Sequence, residues 1–385
     1  MRIAFYAPLK SPSHGTPSGD RRVAALLMQA LAQGGHRVEL ASTFRSFDGQ
    51  GDPARQAGLR AQGEALGRQM AQAWRDGPAA AQPELWVTYH VYYKAPDWLG
   101  PVASAALGIP YVIAEPSHAP KRAHGPWAIG HAGTEAAIRG ADLLLPPARY
   151  DIECLEALAP RERIVWLPPF LDSGLHVAAR AQRATHRAAL AAQHGLDPAR
   201  PWLCTVAMMR EGDKLASYRA LAQALALLRE TDWHLLVAGD GPARAAVEAA
   251  FADQPAGRVR FLGALSAVQL AAVYAASNLY VWPAVNEAYG MAPLEAQAAG
   301  LPVVSCATRG VPDVVCHGRT GILVPSGDAP AFAAAVRSLL EDPDLRARYG
   351  TAAAGFAAGE RTVEAASTLL EGALARLGGA RPHAA

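Results

Sequence analysis

The stretch VWPAVNEAYGMAPLEAQAAGLPVVS, residues 281–305, carries the pattern on which the fold turns. It opens on the end of a short apolar run, Leu279 to Trp282, that reads as a strand. A loop holding Glu287 follows, and a helix begins near Gly290, with Pro293 tolerated in its first turn. After Gly300 a second apolar run, Pro302 to Cys306, reads as another strand. Strand, helix and strand joined by short loops make a βαβ unit with parallel strands. Glu287 stands on the loop above the strand end, and Glu295 lies on the first helical turns, where the two carboxylates can grip different parts of one extended ligand. Between them the amides of Tyr289, Gly290 and Met291 form a helix N-terminus, a natural place for phosphate oxygens.

Upstream of this unit the same rhythm predicts strands at Trp202 to Met209, Trp233 to Ala238 and Val259 to Leu262, with helices over 217–229 and from Gly241 onward. The first half repeats it, with strands at Ile3 to Pro8, Arg37 to Ala41, Leu85 to Tyr89, Pro110 to Ala114 and Asp142 to Leu145. Residues 50–82 read as a helix with loose flanks. A proline-stiffened stretch, IVWLPPFLD (164–172), and a polar Ala/Arg/His segment running to about 199 read as a connector. After Leu340 the chain reads as helical to its end. The expected fold class is therefore α/β, with two tandem Rossmann-like doubly wound domains and the active site in a cleft between them.

The bulk composition fits two globular domains: 385 residues, 51% hydrophobic and 18% charged. A net charge of +2 and the lack of a basic stripe with interleaved aromatics argue against nucleic acid as a partner. Cys154, Cys204, Cys306 and Cys316 stand far apart without a CxxC pair and read as structural thiols. MRIAFYAPL followed by a polar stretch is not a signal peptide, and no run approaches the roughly 20 apolar residues of a membrane span. The expectation is a cytoplasmic protein, with any membrane contact peripheral to the inner face. Arg60, Arg68 and Arg75 could serve such a contact or simply form a solvated helix face.

Glu287 and Glu295, with AYGMAPL between them and AQAAGLPVV after, resemble the E-x7-E motif of the retaining glycosyltransferases of family four (glycosyl transferases group 1, GT-B fold). The VAGDGP and RFLG strings match that family in order and spacing. The resemblance implies an acceptor domain over 1–175, a donor domain over 176–359, and a last helix at 360–380 that packs back on the first domain. It implies that Glu295 holds the nucleotide ribose and Glu287 the transferred sugar. Ala288 stands where the family commonly has glycine.

In VAMMREGDKLASY (206–218), Arg210 and Lys214 resemble the family's basic pair for the donor diphosphate, although Met208 and Met209 interrupt the usual string. Fixed cations there would stabilise a leaving group that gains charge as the glycosidic bond breaks. Gly239, Leu262 and Gly263 correspond to backbone beside the nucleotide, and the loop Ser11 to Asp20, with Gly15 and Gly19, to the family's glycine loop or to an ordinary connection. The turn Arg309 to Asp313 resembles a family turn or is a plain helix start. His118 and His90 both follow strands in the first half, and His118 is preferred for the donor sugar because its strand is taken as the more central. Asp342-Pro343-Asp344 spells DxD but reads as a helix start, so no metal and no cofactor are expected. The resemblance implies a UDP- or GDP-sugar donor and a glycan, lipid-linked or small-molecule acceptor. An epimerase of the same fold and a non-catalytic sugar-nucleotide binder remain as alternatives.

Overall fold

The computed structural model describes residues 1–15 and 18–379. These divide into two compact units, residues 1–168 with 363 onward, and residues 169–362. The first unit alternates β1 (Arg2–Tyr6), α1 (Gly19–Gln33), β2 (Arg37–Ser42), α2 (Pro53–Asp76), β3 (Leu85–Val91), α3 (Gly100–Leu107), β4 (Tyr111–Pro116), α4 (Ala128–Gly140), β5 (Leu143–Leu145) and α5 (Ile152–Glu156). Its strands are all parallel, in the order β2-β1-β3-β4-β5. Helices cover both faces of such a sheet, which is why strands such as LWVTYHV are almost continuously apolar and buried.

The second unit starts with α6 (Gly174–Ala181) and α7 (Arg183–His194). It continues through β6 (Trp202–Val206), α8 (Asp213–Ala226), β7 (His234–Ala238), α9 (Arg244–Ala250), β8 (Val259–Gly263), α10 (Ala267–Ala276) and β9 (Leu279–Trp282). α11 (Met291–Ala298), β10 (Val303–Cys306), β11 (Gly321–Val324), α12 (Ala329–Glu341) and α13 (Pro343–Glu360) complete it. The order is β11-β10-β9-β6-β7-β8, again parallel, around a core that buries Trp202, Trp233, Trp282, Tyr218, Tyr274 and Tyr280. The chain then returns to the first unit as α14 (Val363–Leu374), which packs on α1. There Glu371 reaches His36 at 2.6 Å. The expected last helix ran to residue 380, which lies outside the described residues.

Three stretches of the chain depart from the sequence expectation. Residues 174–194, expected as a polar connector, form α6 and α7 and pack on α10. The contact of α6 runs largely through alanine, with Ala179 against Ala271 and Ala275 beside the buried His176 ring 6.0 Å from that of Tyr274, so no bulky apolar stripe betrays it. β11 falls where no strand was expected, and it pairs closely enough with β10 that a side chain at Gly321 would meet the Val303 carbonyl at 2.1 Å. The run from Trp202 leaves the sheet at Val206, not Met209, and α8 starts at Asp213, which puts Lys214 in a first helical turn. At the DxD string, by contrast, Asp342 accepts from the Leu345 amide at 2.8 Å as the N-cap of α13, with Pro343 beginning the helix.

α7 is held by charge. Arg183 donates to the carbonyls of Ala275 and Ser277, and Arg187 to those of Ala276, Pro198 and Arg200 and to Asn278 Oδ1. Together they satisfy carbonyls at the C-terminal end of α10, which has no basic residue of its own there. Burial and the neighbouring Arg183 push the Arg187 guanidinium down to about 10, still charged at neutral pH, and it stacks 4.1 Å from the Trp202 ring centroid. Arg187→Ala should therefore cost about 2–4 kcal/mol of stability, with Arg187→Lys recovering only a minor part because an ammonium cannot reproduce the fork. Thermal and urea unfolding of both variants checks this; a loss below about 0.5 kcal/mol would show the arginine to be incidental.

Candidate active site

In the second unit β6 and β9 are neighbours, yet the chain leaves them in opposite directions across the sheet, toward β7 and toward β10. Loops part at such a switch point and open a crevice at the carboxyl ends of the strands. The residues after these two strands meet there. Lys214 Nζ donates to Glu287 Oε2 at 2.5 Å, Trp282 Nε1 donates to the same oxygen at 3.2 Å, and Lys214 stands 5.4 Å from the Trp282 ring centroid. Both charged side chains are partly exposed, 27% and 17%. Trp282 was not among the sequence candidates; its indole N–H is the signal, since a buried tryptophan at a strand end needs an acceptor.

The Glu287 loop is fixed from two sides. Val285 N donates to Ser217 Oγ at 3.0 Å and Asn286 Nδ2 to Asp213 Oδ2 at 2.9 Å, both on α8. The Arg309–Asp313 turn docks on it from the other side, with Gly310 N on the Ala288 carbonyl and Arg309 Nη1 on Asn286 Oδ1. Asn286 and Arg309 both hold left-handed backbone, φ 52° and 44°, a conformation that non-glycine residues keep only where surrounding contacts enforce it.

The other candidates divide. Arg210 is exposed in the loop after β6, and its guanidinium has no hydrogen bond or ion pair among the described residues. Gly239 packs against that loop: at φ +145° its added Cβ would lie 1.9 Å from the Ala207 carbonyl, and its amide donates to the Gly263 carbonyl at 2.8 Å. Leu262 and Gly263 are half-buried at the end of β8. Gly290 (φ 78°) opens α11, while Tyr289 and Met291 pack on an apolar cluster around Leu294 and Phe356. Glu295 is 6% exposed and accepts from the Tyr274 hydroxyl at 3.0 Å, so its carboxylate is anchored from the core side.

In the first unit the switch point lies between β1 and β3. Asp20, in the first turn of the helix after β1, meets His90 at the end of β3: Nδ1 to Oδ1 is 3.0 Å. Glu115, the register neighbour of His90 on β4, lies 3.7 Å from the same nitrogen. His90 and Glu115 both hold left-handed backbone, φ 60° and 57°, side by side in adjacent strands. Such strain costs about 1–3 kcal/mol at each position and concentrates at functional sites. Burial pushes the His90 pKa down, but Glu115 and Asp20 outweigh it and the net direction is up. For Asp20 burial pushes up, and the bond to His90 with its charge pulls the carboxyl below its usual value.

The expectation favoured His118 on the ground that its strand is the more central; the sheet order reverses this, since β3 is the middle strand and β4 lies outside it. His118 has different neighbours, its Nδ1 3.3 Å from the Cys154 carbonyl and its ring 5.5 Å from His131. Gly15 and Gly19 have open space where a side chain would project, and Ser18 caps α1 on the Arg21 amide at 3.2 Å. Thr16 and Pro17 of that loop lie outside the described residues. Among the described residues no cluster of His, Cys, Asp or Glu could hold a metal ion, and no helix is long and apolar enough to cross a membrane.

Comparison with known proteins bears on both units. Residues 200–342 match the model of the family described as glycosyl transferases group 1. D-inositol 3-phosphate glycosyltransferase of Streptomyces avermitilis is 43% identical over 99 residues, 26% of this chain and 21% of that protein. Alpha-D-kanosaminyltransferase of Streptomyces kanamyceticus is 32% identical over 253 residues, 66% of this chain and 64% of that one. The match thus spans less than two thirds of either relative's own length. Among solved structures, sucrose-phosphate synthase from Thermosynechococcus elongatus superposes with a TM-score of 0.72 at 20% identity, covering 99% of this chain and 100% of the other. Anabaena HepE, solved with UDP-glucose, gives 0.67 at 17% identity, with 98% and 100% covered. The fold is that of the GT-B glycosyltransferases.

The raised His90 pKa fixes the sign of a pH effect. Stabilisation from the charged imidazole is fully present below the ordinary histidine value of about 6.5 and is lost as pH rises through the higher folded value. The stability gap between wild type and His90→Asn should therefore be largest near pH 6 and shrink toward pH 9, as read by urea unfolding at a series of pH values. A gap that stays flat across that range would mean the imidazole is not held charged.

Proposed function

Because the chain resembles the group 1 glycosyltransferases where Lys214 and Glu287 lie, we propose that it transfers a sugar from a nucleoside-diphosphate sugar to an acceptor hydroxyl, with retention at the anomeric carbon. The observation that carries this reading is the Lys214–Glu287–Trp282 cluster at the switch point of a Rossmann-type sheet. Lys214 and the exposed Arg210 supply positive charge for the diphosphate, whose leaving oxygen becomes negative as its bond to the anomeric carbon breaks. The acceptor oxygen forms the new bond to that carbon, and its proton passes to the departing phosphate. Glu287, held by its two donors, accepts from a hydroxyl of the transferred sugar. Glu295 holds the ribose, with Tyr274 fixing its carboxylate, and the glycine-shaped backbone at Gly239, Leu262 and Gly263 together with Tyr289, Gly290 and Met291 lines the nucleotide. In the first unit we assign the sugar-facing cation to His90 in preference to His118, with Gly15 and Gly19 leaving room for the ligand.

UDP-glucose bound to the structural neighbour HepE supports a UDP-sugar as the first donor to try, with GDP-sugars next. No divalent metal is needed in this scheme, because Lys214 and Arg210 carry the charge; transfer should survive EDTA. Lys214→Ala should weaken UDP binding by about 1.5–3 kcal/mol, as expected for loss of a charged hydrogen bond to phosphate. Glu287→Gln should bind UDP nearly as wild type does and lose about 100-fold or more in transfer, since its contact matters while the anomeric bond breaks. Calorimetry with UDP and GDP, followed by product analysis with donor and cell-extract acceptors, makes the measurement. Turnover of donor without any acceptor would indicate an epimerase instead, and activity lost in EDTA and restored by Mg²⁺ would remove the metal-free scheme.

A further inference from the structure

At the carboxyl edge of the first unit's sheet, the loops after β3 and β4 bring two aromatic rings and two cations together. The Tyr93 and Trp127 rings lie edge to face, 5.7 Å apart at 79°. Lys94 Nζ stands 4.9 Å from the Trp127 centroid and 5.8 Å from that of Tyr93. The Arg122 guanidinium stands 5.1 Å and 5.3 Å from the same two rings. Among the described residues neither cation pairs with a carboxylate, and the half-buried Arg122 leaves its Nε buried without a hydrogen-bond partner. Both cations therefore lie against the same two rings with no carboxylate to neutralise them.

The cluster is also held in place. Trp127 Nε1 donates to the Asp48 carbonyl at 3.3 Å. Gln56, buried between the loops, donates to the Pro126 carbonyl at 2.7 Å and to Asp48 Oδ2 at 2.9 Å, and accepts from the Gly130 amide at 3.0 Å. Gly130 approaches the Tyr93 backbone so closely that a Cβ there would sit 2.1 Å from the Tyr93 carbonyl. Fixed aromatic walls that hold two unpaired cations at the ligand-binding edge of a doubly wound sheet make a preorganised anion site.

We propose that Lys94 and Arg122, carried by Tyr93 and Trp127, bind a phosphate on the acceptor, so that the acceptor is a phosphorylated compound. This rests on the glycosyltransferase reading, under which the second unit takes the donor and the first remains for the acceptor. The phosphate belongs either to a soluble ester or to a phospholipid headgroup, and the two have the same chemistry at this site.

The test uses the full chain saturated with UDP, so that the donor diphosphate site is filled. One arm titrates glycerol 3-phosphate by calorimetry; the other sediments the protein with equimolar phosphatidylcholine–phosphatidylglycerol vesicles. Wild type should bind at least one probe. Arg122→Gln should weaken that binding by about tenfold, the double variant with Lys94→Gln further, and Arg122→Lys should restore part of it, with UDP affinity and melting temperature unchanged. Loss in the calorimetric arm identifies a soluble ester, and loss in the vesicle arm alone identifies a lipid headgroup. Binding equal in wild type and the double variant, or no binding of either probe, overturns the proposal. Failure to bind UDP or GDP at all would instead overturn the donor reading on which it rests.

Discussion

Right-handed crossovers between parallel strands are the constraint on which both units depend. A chain that winds from its first strand toward one edge of the sheet places its helices on one face; to reach the other edge it must place the next helices on the opposite face. Two adjacent strands then send their loops apart, and the gap between them is the one place where side chains at the sheet's end are not covered by a neighbouring loop. In the second unit that place lies between β6 and β9 and holds Lys214 and Glu287. In the first it lies between β1 and β3 and holds Asp20 and His90. The same topological rule thus produces two charge pairs from sequences with no repeat between them.

The two pairs differ in how the backbone supports them. Lys214 sits in the first turn of a regular helix, and the strain lies in the loop of its partner, at Asn286, and in the turn that docks on that loop, at Arg309. In the first unit the strain lies in the strands themselves, at the registered residues His90 and Glu115. Sheet hydrogen bonding continues past the kink, with Ser117 N on the Val91 carbonyl at 2.9 Å, so the two side chains are turned without fraying the edge of the strands. A rigid sheet end of this kind positions a histidine between two carboxylates more firmly than a loop could.

Most strands were legible because a parallel sheet covered on both faces demands unbroken apolar runs, and HLLVA, LYVW and LWVTYHV have them. α6 and α7 were not, because the alanine-lined contact of α6 looks the same in sequence as a solvated helix, and the arginines of α7 read as surface charge until the carbonyls of α10 are seen. β11 was hidden because its apolar run is only Ile322 to Val324 behind a glycine, on a sheet edge that pairs with β10 alone. Glu287 and Lys214 could each be placed above a strand end, but their contact across 73 positions follows only from the adjacency of β6 and β9. Glu115 was passed over beside His90 for a similar reason: only strand register aligns residues so far apart.

The seam between α6 and α10 has a consequence for how this sequence can vary. Alanine loses almost no side-chain freedom on burial, so Ala179, Ala271 and Ala275 join the helices at little entropic expense, but they leave no slack for a larger neighbour. α7 buries none of its residues fully and is held instead by Arg183 and Arg187. Spacing and attachment are therefore assigned to different residues. Neutral drift can reshape the outer face of α7 almost freely, while the three alanines are confined to the smallest side chains and the two arginines to themselves. A lineage that enlarged one alanine would have to shift a whole helix to accommodate it, and the arginines, anchored to carbonyls of α10, would oppose that shift.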